Sequence, residues 1–138
     1  MGRFLAIDHG EKRVGLAISD PNKIISKPLK TLILSDLQYF YQELLKIISD
    51  YDIEKLVIGL PVSMDGKKTQ QTTKVEEFKT YLQNKIDIPI VMFDERLSSI
   101  SAKKSLISQG VKTGYNKSQI DQTAAAIFLQ QYIATLNY

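Results

Sequence analysis

Two apolar runs near the start of the chain, residues 3–8 and 13–19, stand four residues apart. Within the stretch "FLAIDHGEKRVGLAIS" the link His9–Lys12 is short and holds a glycine, which predicts two strands joined as a hairpin. That pairing constrains everything after it, because the rest of the chain must add to an antiparallel start. "PLKTLIL" (28–34) reads as a third strand, with Pro28 at its beginning, where a missing N–H is tolerated. The next segment changes period. Leu37, Phe40, Tyr41, Leu44, Leu45 and Ile48 recur at steps of three and four, as on an amphipathic helix, and Ser35 with Gln38 offers a capping box.

The remaining elements alternate. "KLVIGL" (55–60) before Pro61 reads as a buried strand. "VEEFKTYLQNK" puts Val75, Phe78 and Leu82 on one helical face, and "PIVMF" (89–93) reads as a further buried strand ending at Asp94–Glu95–Arg96. Ser98 or Ser99 caps an expected helix through Gln109, which stops at Gly110. After a basic loop, 110–116, a last helix starts at Asn116 or Ser118 and turns Ile120, Ala124, Ile127, Phe128 and Ile133 inward. The order βββ-α-β-α-β-α-α predicts an α/β fold. Its mixed sheet has three antiparallel strands followed by two parallel ones, with helices on both faces.

A chain of 138 residues suits one domain over 1–138, large enough to bury a core without disulfides. The absence of cysteine removes a disulfide scaffold, a zinc-finger site and a thiol nucleophile. No apolar run approaches the ~20 residues of a membrane helix, and "MGRFLAIDHG" lacks the apolar core of a signal peptide. The expectation is a cytoplasmic protein with no membrane partner. Net charge is only +3, but 101–118 carries Lys103, Lys104, Lys112 and Lys117 with no acid, a surface fit for phosphates.

Three acids sit where strands end or a helix begins. Asp8 alternates with Phe4 and Ala6 on one strand face and closes the first run. An acid there is costly unless partnered. Taken alone, it reads as a turn aspartate accepting backbone N–H bonds. Asp94–Glu95 follows the last strand, at the carboxyl end where open α/β sheets place their sites. Asp94 can equally pair with Arg96. Asp121 stands early in the last helix, where the helix dipole alone favours an acid. Together Asp8, Glu95 and Asp121 can converge. Clustered carboxylates repel unless a cation intervenes, and oxygen-only ligands suit Mg²⁺ or Mn²⁺. Paired ions of this kind support phosphodiester hydrolysis. Lys12 and Arg13 follow the turn and can grip phosphate, Arg13 bidentately. A lone His9 in a turn reads as a bystander. "GLPVSMDG" (59–66) reads as a strand exit that can also serve as a substrate loop.

"AIDHGEKRVGLAISD", "VIGLPVSMDG", "DERLSS" and "KSQIDQTAAAIFLQQYI", in this order and at these spacings, resemble the YqgF (RuvX) family. The resemblance runs from the first strand to the last helix. It implies an RNase H-like fold related to the RuvC Holliday junction resolvases, and a metal-dependent nuclease acting on precursor 16S rRNA. Carried over by position, the family's acids are Asp8, Glu95 (with Asp94 beside it) and Asp121. "DERLSS" departs from the family's frequent "DERLTT" but keeps both hydroxyls.

The leading expectation is therefore a metal-dependent endonuclease. Asp8, Glu95 and Asp121 are catalytic and metal-binding, and Arg13, Lys12, Lys103, Lys104, Lys112 and Lys117 hold the nucleic acid. The partner is precursor rRNA or branched DNA, and the protein is a monomer or homodimer. Two alternatives stand beside it: a Holliday junction resolvase, and a non-catalytic rRNA-binding assembly factor. The first phosphate loop of actin-like ATPases also resembles "AIDHGEKRVGLAIS", but those enzymes need two lobes and this chain holds one.

Overall fold

The computed structural model describes residues 2–61, 65–94 and 117–136, with side chains in the last stretch from 122 onward. The chain forms β1 (Arg3–His9), β2 (Arg13–Ser19), β3 (Ser26–Ile33), α1 (Leu37–Asp50), β4 (Ile53–Leu60), α2 (Gln70–Gln83), β5 (Ile90–Asp94) and α3 (Lys117–Leu136). The five strands make one sheet in the order β3-β2-β1-β4-β5. β1 pairs antiparallel with β2, and β2 with β3, whereas β1–β4 and β4–β5 are parallel. This is the expected mixed sheet. The expected helix at 98–109 and the basic loop lie outside the described residues.

The hairpin closes tightly. Gly10 N–H donates to the Arg13 carbonyl at 2.8 Å. A Cβ on Gly10 would sit 2.9 Å from that same oxygen, so only glycine fits the approach. The β2–β3 turn is organised by Asp20, whose carboxylate accepts the N–H groups of Ile24 (2.7 Å), Ile25 (2.9 Å) and Asn22 (3.2 Å).

Several elements differ in detail from the sequence expectation. β3 begins at Ser26, two residues before Pro28. Pro28 therefore lies inside the strand, opposite Ala17, beside an irregularity in the register. An edge strand tolerates this, since no further strand needs the missing N–H. α1 is capped by Asp36, which accepts from Tyr39 N–H at 3.1 Å; the Ser35–Gln38 capping box does not form. α2 starts five residues before Val75, behind a cap in which the Thr69 and Thr72 side chains accept each other's backbone N–H. β5 is half-buried rather than buried, because it forms the other edge of the sheet.

The alternation of strand side chains divides the interior into two layers. On one face Leu5, Ile7, Leu16, Ile18, Leu56 and Ile58 pack under Phe40, Leu44 and Ile47 of α1 and Val75, Phe78 and Leu82 of α2. On the other face Phe4, Ala6, Ala17 and Val57 meet Ala125, Ala126, Phe128, Leu129 and Ile133 of α3. Alanine against alanine lets α3 lie close to the sheet, as the "AAA" at 124–126 implied. The inward stripe differs from the expected one: Ala125, Ala126 and Leu129 join Phe128 and Ile133, while Ala124 and Ile127 are half-buried.

Two sets of contacts fix the direction of α3. Over β3, the Ser26 hydroxyl donates to the Ala126 carbonyl, and one turn later the Gln130 amide donates to Ile24 O at 2.9 Å. Over the parallel strands, Phe128 stacks on Phe93 near the end of β5, while Tyr132 meets Phe4 near the start of β1. In chain order the helix thus runs toward the edge where β1 begins. Its first turns head for the opposite edge, where β1, β4 and β5 end.

Candidate active site

The site is built at the carboxyl ends of β1, β4 and β5. Asp8 shares a strand face with Phe4 and Ala6, the face covered by α3, as the sequence alternation predicts. It is half-buried. Its cross-strand partner on β2 is Gly15. On the other side Ile7 pairs with Ile58, so one step further along the same register Asp8 comes beside Gly59, which pairs with Phe93. Glycine therefore stands beside Asp8 on both neighbouring strands, so neither adds a side chain of its own at that level of the sheet.

Parity separates Asp94 from Asp8. Asp94 alternates with Ile90 and Met92, which pack on the α1/α2 side. The two described acids at the strand ends therefore belong to opposite faces. Glu95 lies outside the described residues. Asp121 is the fifth residue of α3, on the turns that head toward the Asp8 edge; its side chain lies outside the described residues. Among the described residues no three Asp, Glu or His side chains gather around a common point. The donor chemistry nevertheless suits a hard divalent ion: a half-buried carboxylate near a strand end with a glycine on each neighbouring strand, and no cysteine in the chain.

Arg13 opens β2 on Asp8's face, two residues from the Gly15 that faces Asp8. Its own partner on β3 is Ile33. Arg13, Lys12, Glu11, Ile33, Leu34 and Ser35 line a cleft of about 420 Å³ at this edge. The Glu11 carboxylate lies 3.9 Å from Lys74 of α2, which balances its charge. The structure thus brings Lys12 and Arg13 to the Asp8 end of the sheet. Lys103, Lys104 and Lys112 lie outside the described residues. Lys117 begins α3, with its side chain likewise outside them.

His9 points the other way. Its ring packs on Phe78 of α2 with centroids 4.5 Å apart, and its buried Nδ1 has no hydrogen-bond partner. Burial lowers its pKa below the ordinary histidine value, and Lys74 adds to the effect. The ring thus lies on the sheet face opposite to Asp8. The "GLPVSMDG" segment is described only at its ends. There Pro61 O accepts from the Thr72 hydroxyl, and Gly66 adopts φ 86° in a turn begun by Asp65.

Sequence reading passed over Gln71 and Thr72. Gln71 Nε2 donates to the His9 carbonyl at 3.1 Å, and Thr72 is fully buried. The only signal was the Thr69–Thr72 spacing, a capping box with threonine in the place usually held by glutamate or glutamine.

A family model described as RuvX, Holliday junction resolvase, matches residues 2–135. A protein from Roseiflexus sp. (strain RS-1), named "Putative pre-16S rRNA nuclease", is 38% identical over 132 residues, covering 96% of this chain and 94% of its own. One of the same name from Maridesulfovibrio salexigens is 42% identical over 132 residues, covering 96% and 98%. Among solved structures, T. thermophilus RuvC in complex with a Holliday junction substrate aligns over 99% of this chain and 97% of its own, with TM-score 0.57 and 10% identity. Fowlpox virus resolvase bound to Holliday junction DNA aligns over 99% of both chains, with TM-score 0.55 and 13% identity. At such identities these two likenesses speak for the fold.

Proposed function

The chain belongs to the RuvX family, and from that membership we propose that it is a metal-dependent endonuclease, built as one RNase H-like domain, that cuts phosphodiester bonds in precursor 16S rRNA. One observation carries the reading: Asp8 lies at the penultimate position of β1 on the α3 face, with Gly15 and Gly59 on either side, and α3 runs in chain order away from that edge.

In this reading Asp8, Glu95 and Asp121 would hold Mg²⁺ or Mn²⁺. Asp94 alternates with Ile90 and Met92 on the face away from Asp8, and Glu95 is taken as the second acid from the family's motif. The bound ion supplies activation of the attacking water and charge stabilisation at the leaving oxygen. The chain's own residues do the rest. Arg13 and Lys12 bind and orient the substrate backbone beside Asp8. Gly15 and Gly59 let that backbone come near. Lys103, Lys104, Lys112 and Lys117 extend the phosphate-binding surface. Asp8 would hold the metal through its carboxylate.

The second reading, resolution of branched DNA, is favoured by the resolvase-like fold. Both are tested by offering a labelled precursor rRNA fragment and a synthetic four-way junction, each with Mg²⁺, Mn²⁺ or EDTA. Asp8→Asn is expected to abolish metal-dependent cutting of the RNA while leaving the melting temperature within a few degrees. Cutting of the junction alone moves the protein to the resolvases. Cleavage equal in wild type and variant refutes the site.

A further inference from the structure

The turn that follows Asp8 is held from outside the sheet. Gly10 N–H bonds to Arg13, and antiparallel pairing alternates, so the carbonyl of His9 faces away from β2, toward the β4 side. The β1–β4 ladder has ended by then, its last pair being Ile7 with Ile58. A strand-end carbonyl here needs a donor from elsewhere. Gln71 provides it, with Nε2 at 3.1 Å. The contact is not isolated. Lys74 lies 3.9 Å from Glu11, and Phe78 packs under the His9 ring. Positions 71, 74 and 78 fall on one face of α2, so a single helix face reads the turn that leaves Asp8.

The same turn of α2 also fixes β4. The buried Thr72 hydroxyl receives the Thr69 N–H at 3.0 Å and donates to the Pro61 carbonyl. Gln71 and Thr72 therefore tie the exits of β1 and β4 to one rigid helix end, with Asp8 and Gly59 just inside the two tied points.

We propose that Gln71 is a positioning residue for Asp8, acting through the His9 carbonyl to hold the end of β1 in the place where its carboxylate receives metal. The proposal rests on Asp8 being the metal-holding acid of the nuclease reading. Thr72 is the structural half of the clamp, because it also caps α2; Gln71 is free of that duty, so its loss separates positioning from folding.

The test uses the full chain with three substitutions. Gln71→Met keeps length without a donor, Gln71→Glu replaces the donor by an acceptor, and Gln71→Lys restores a donor. Amide hydrogen exchange is read first in metal-free protein, then Mn²⁺ affinity from the free-ion EPR signal, then kcat and KM on the labelled rRNA fragment. In the Met and Glu variants, exchange should quicken across residues 8–13. Mn²⁺ affinity and kcat should each fall about tenfold, with KM within about twofold and the melting temperature nearly unchanged. Gln71→Lys should recover most of the loss. Unchanged exchange and Mn²⁺ affinity in Gln71→Met overturns the proposal, as does a Lys variant no better than Met. Wild-type protein that neither binds Mn²⁺ nor cuts overturns the nuclease reading and with it the catalytic half of the proposal, while exchange in metal-free protein still decides the clamp on its own.

Discussion

Asp20 shows at the scale of one residue how a carboxylate can be structural here. Its pKa is lowered from the ordinary value of 3.8, chiefly by the N–H of Ile25 and then that of Ile24. Because the folded value lies below the unfolded one, the unfolded chain takes up the proton first as pH falls. The stabilisation is complete above 3.8 and is lost as pH drops through the folded value. Asp20→Asn is expected to melt earlier than wild type near neutral pH and to show a shallower decline in melting temperature on acidification. Parallel curves would contradict the assignment. Asp8, taken alone, reads as a turn aspartate too; the structure separates the two, since Asp8 continues the Phe4–Ala6 alternation on the α3 face whereas Asp20 sits in a turn. Asp94 was less legible. The pair Asp94–Glu95 reads the same from either face until the register of β5 assigns Asp94 to the side of Ile90 and Met92.

Among the elements, α3 depends most on a few large contacts. Phe128 is fully buried and stacks on Phe93 at 6.3 Å, in a layer that includes Ala6, Ala17, Ala125 and Ala126. Small neighbours close poorly around a lost ring. Phe128→Ala is therefore expected to cost about 3–5 kcal/mol of unfolding free energy, measured by urea titration, and to lower Mn²⁺ affinity along with it. The strands were read well from sequence: β2 has the expected bounds, because its alternating apolar run ends sharply at both sides. The start of α2 was missed because its first turn, Gln70–Thr73, is polar, and its buried Thr72 is satisfied by hydrogen bonds instead of by apolar packing. The cap of α1 was misplaced by one residue, since Ser35 and Asp36 are both competent caps and only the reach to Tyr39 N–H distinguishes them.

For the whole molecule, the formal charge of +3 understates what the Asp8 edge offers a polyanion, since Lys12 and Arg13 lie there together and Lys74 balances Glu11. Arg13→Gln is expected to weaken binding to RNA of any sequence and to flatten the dependence of log Kd on log salt by about one unit, read by fluorescence anisotropy between low and moderate salt. An unchanged slope would remove Arg13 from the phosphate contacts. The strand order was legible because a hairpin start followed by crossovers leaves few alternatives. Helices on both faces were expected as well, but which helix takes which face was not, since no local pattern decides it. That division has a consequence for how the protein is made. Chains emerge from the ribosome amino end first. All five strands, α1 and α2 precede α3, and among the described residues α3 alone covers the side of the sheet bearing Phe4, Ala6 and Val57. Until α3 docks, a nascent chain of this protein lacks that helix's cover over its apolar wall, so the last element made closes the layer begun by the first strand.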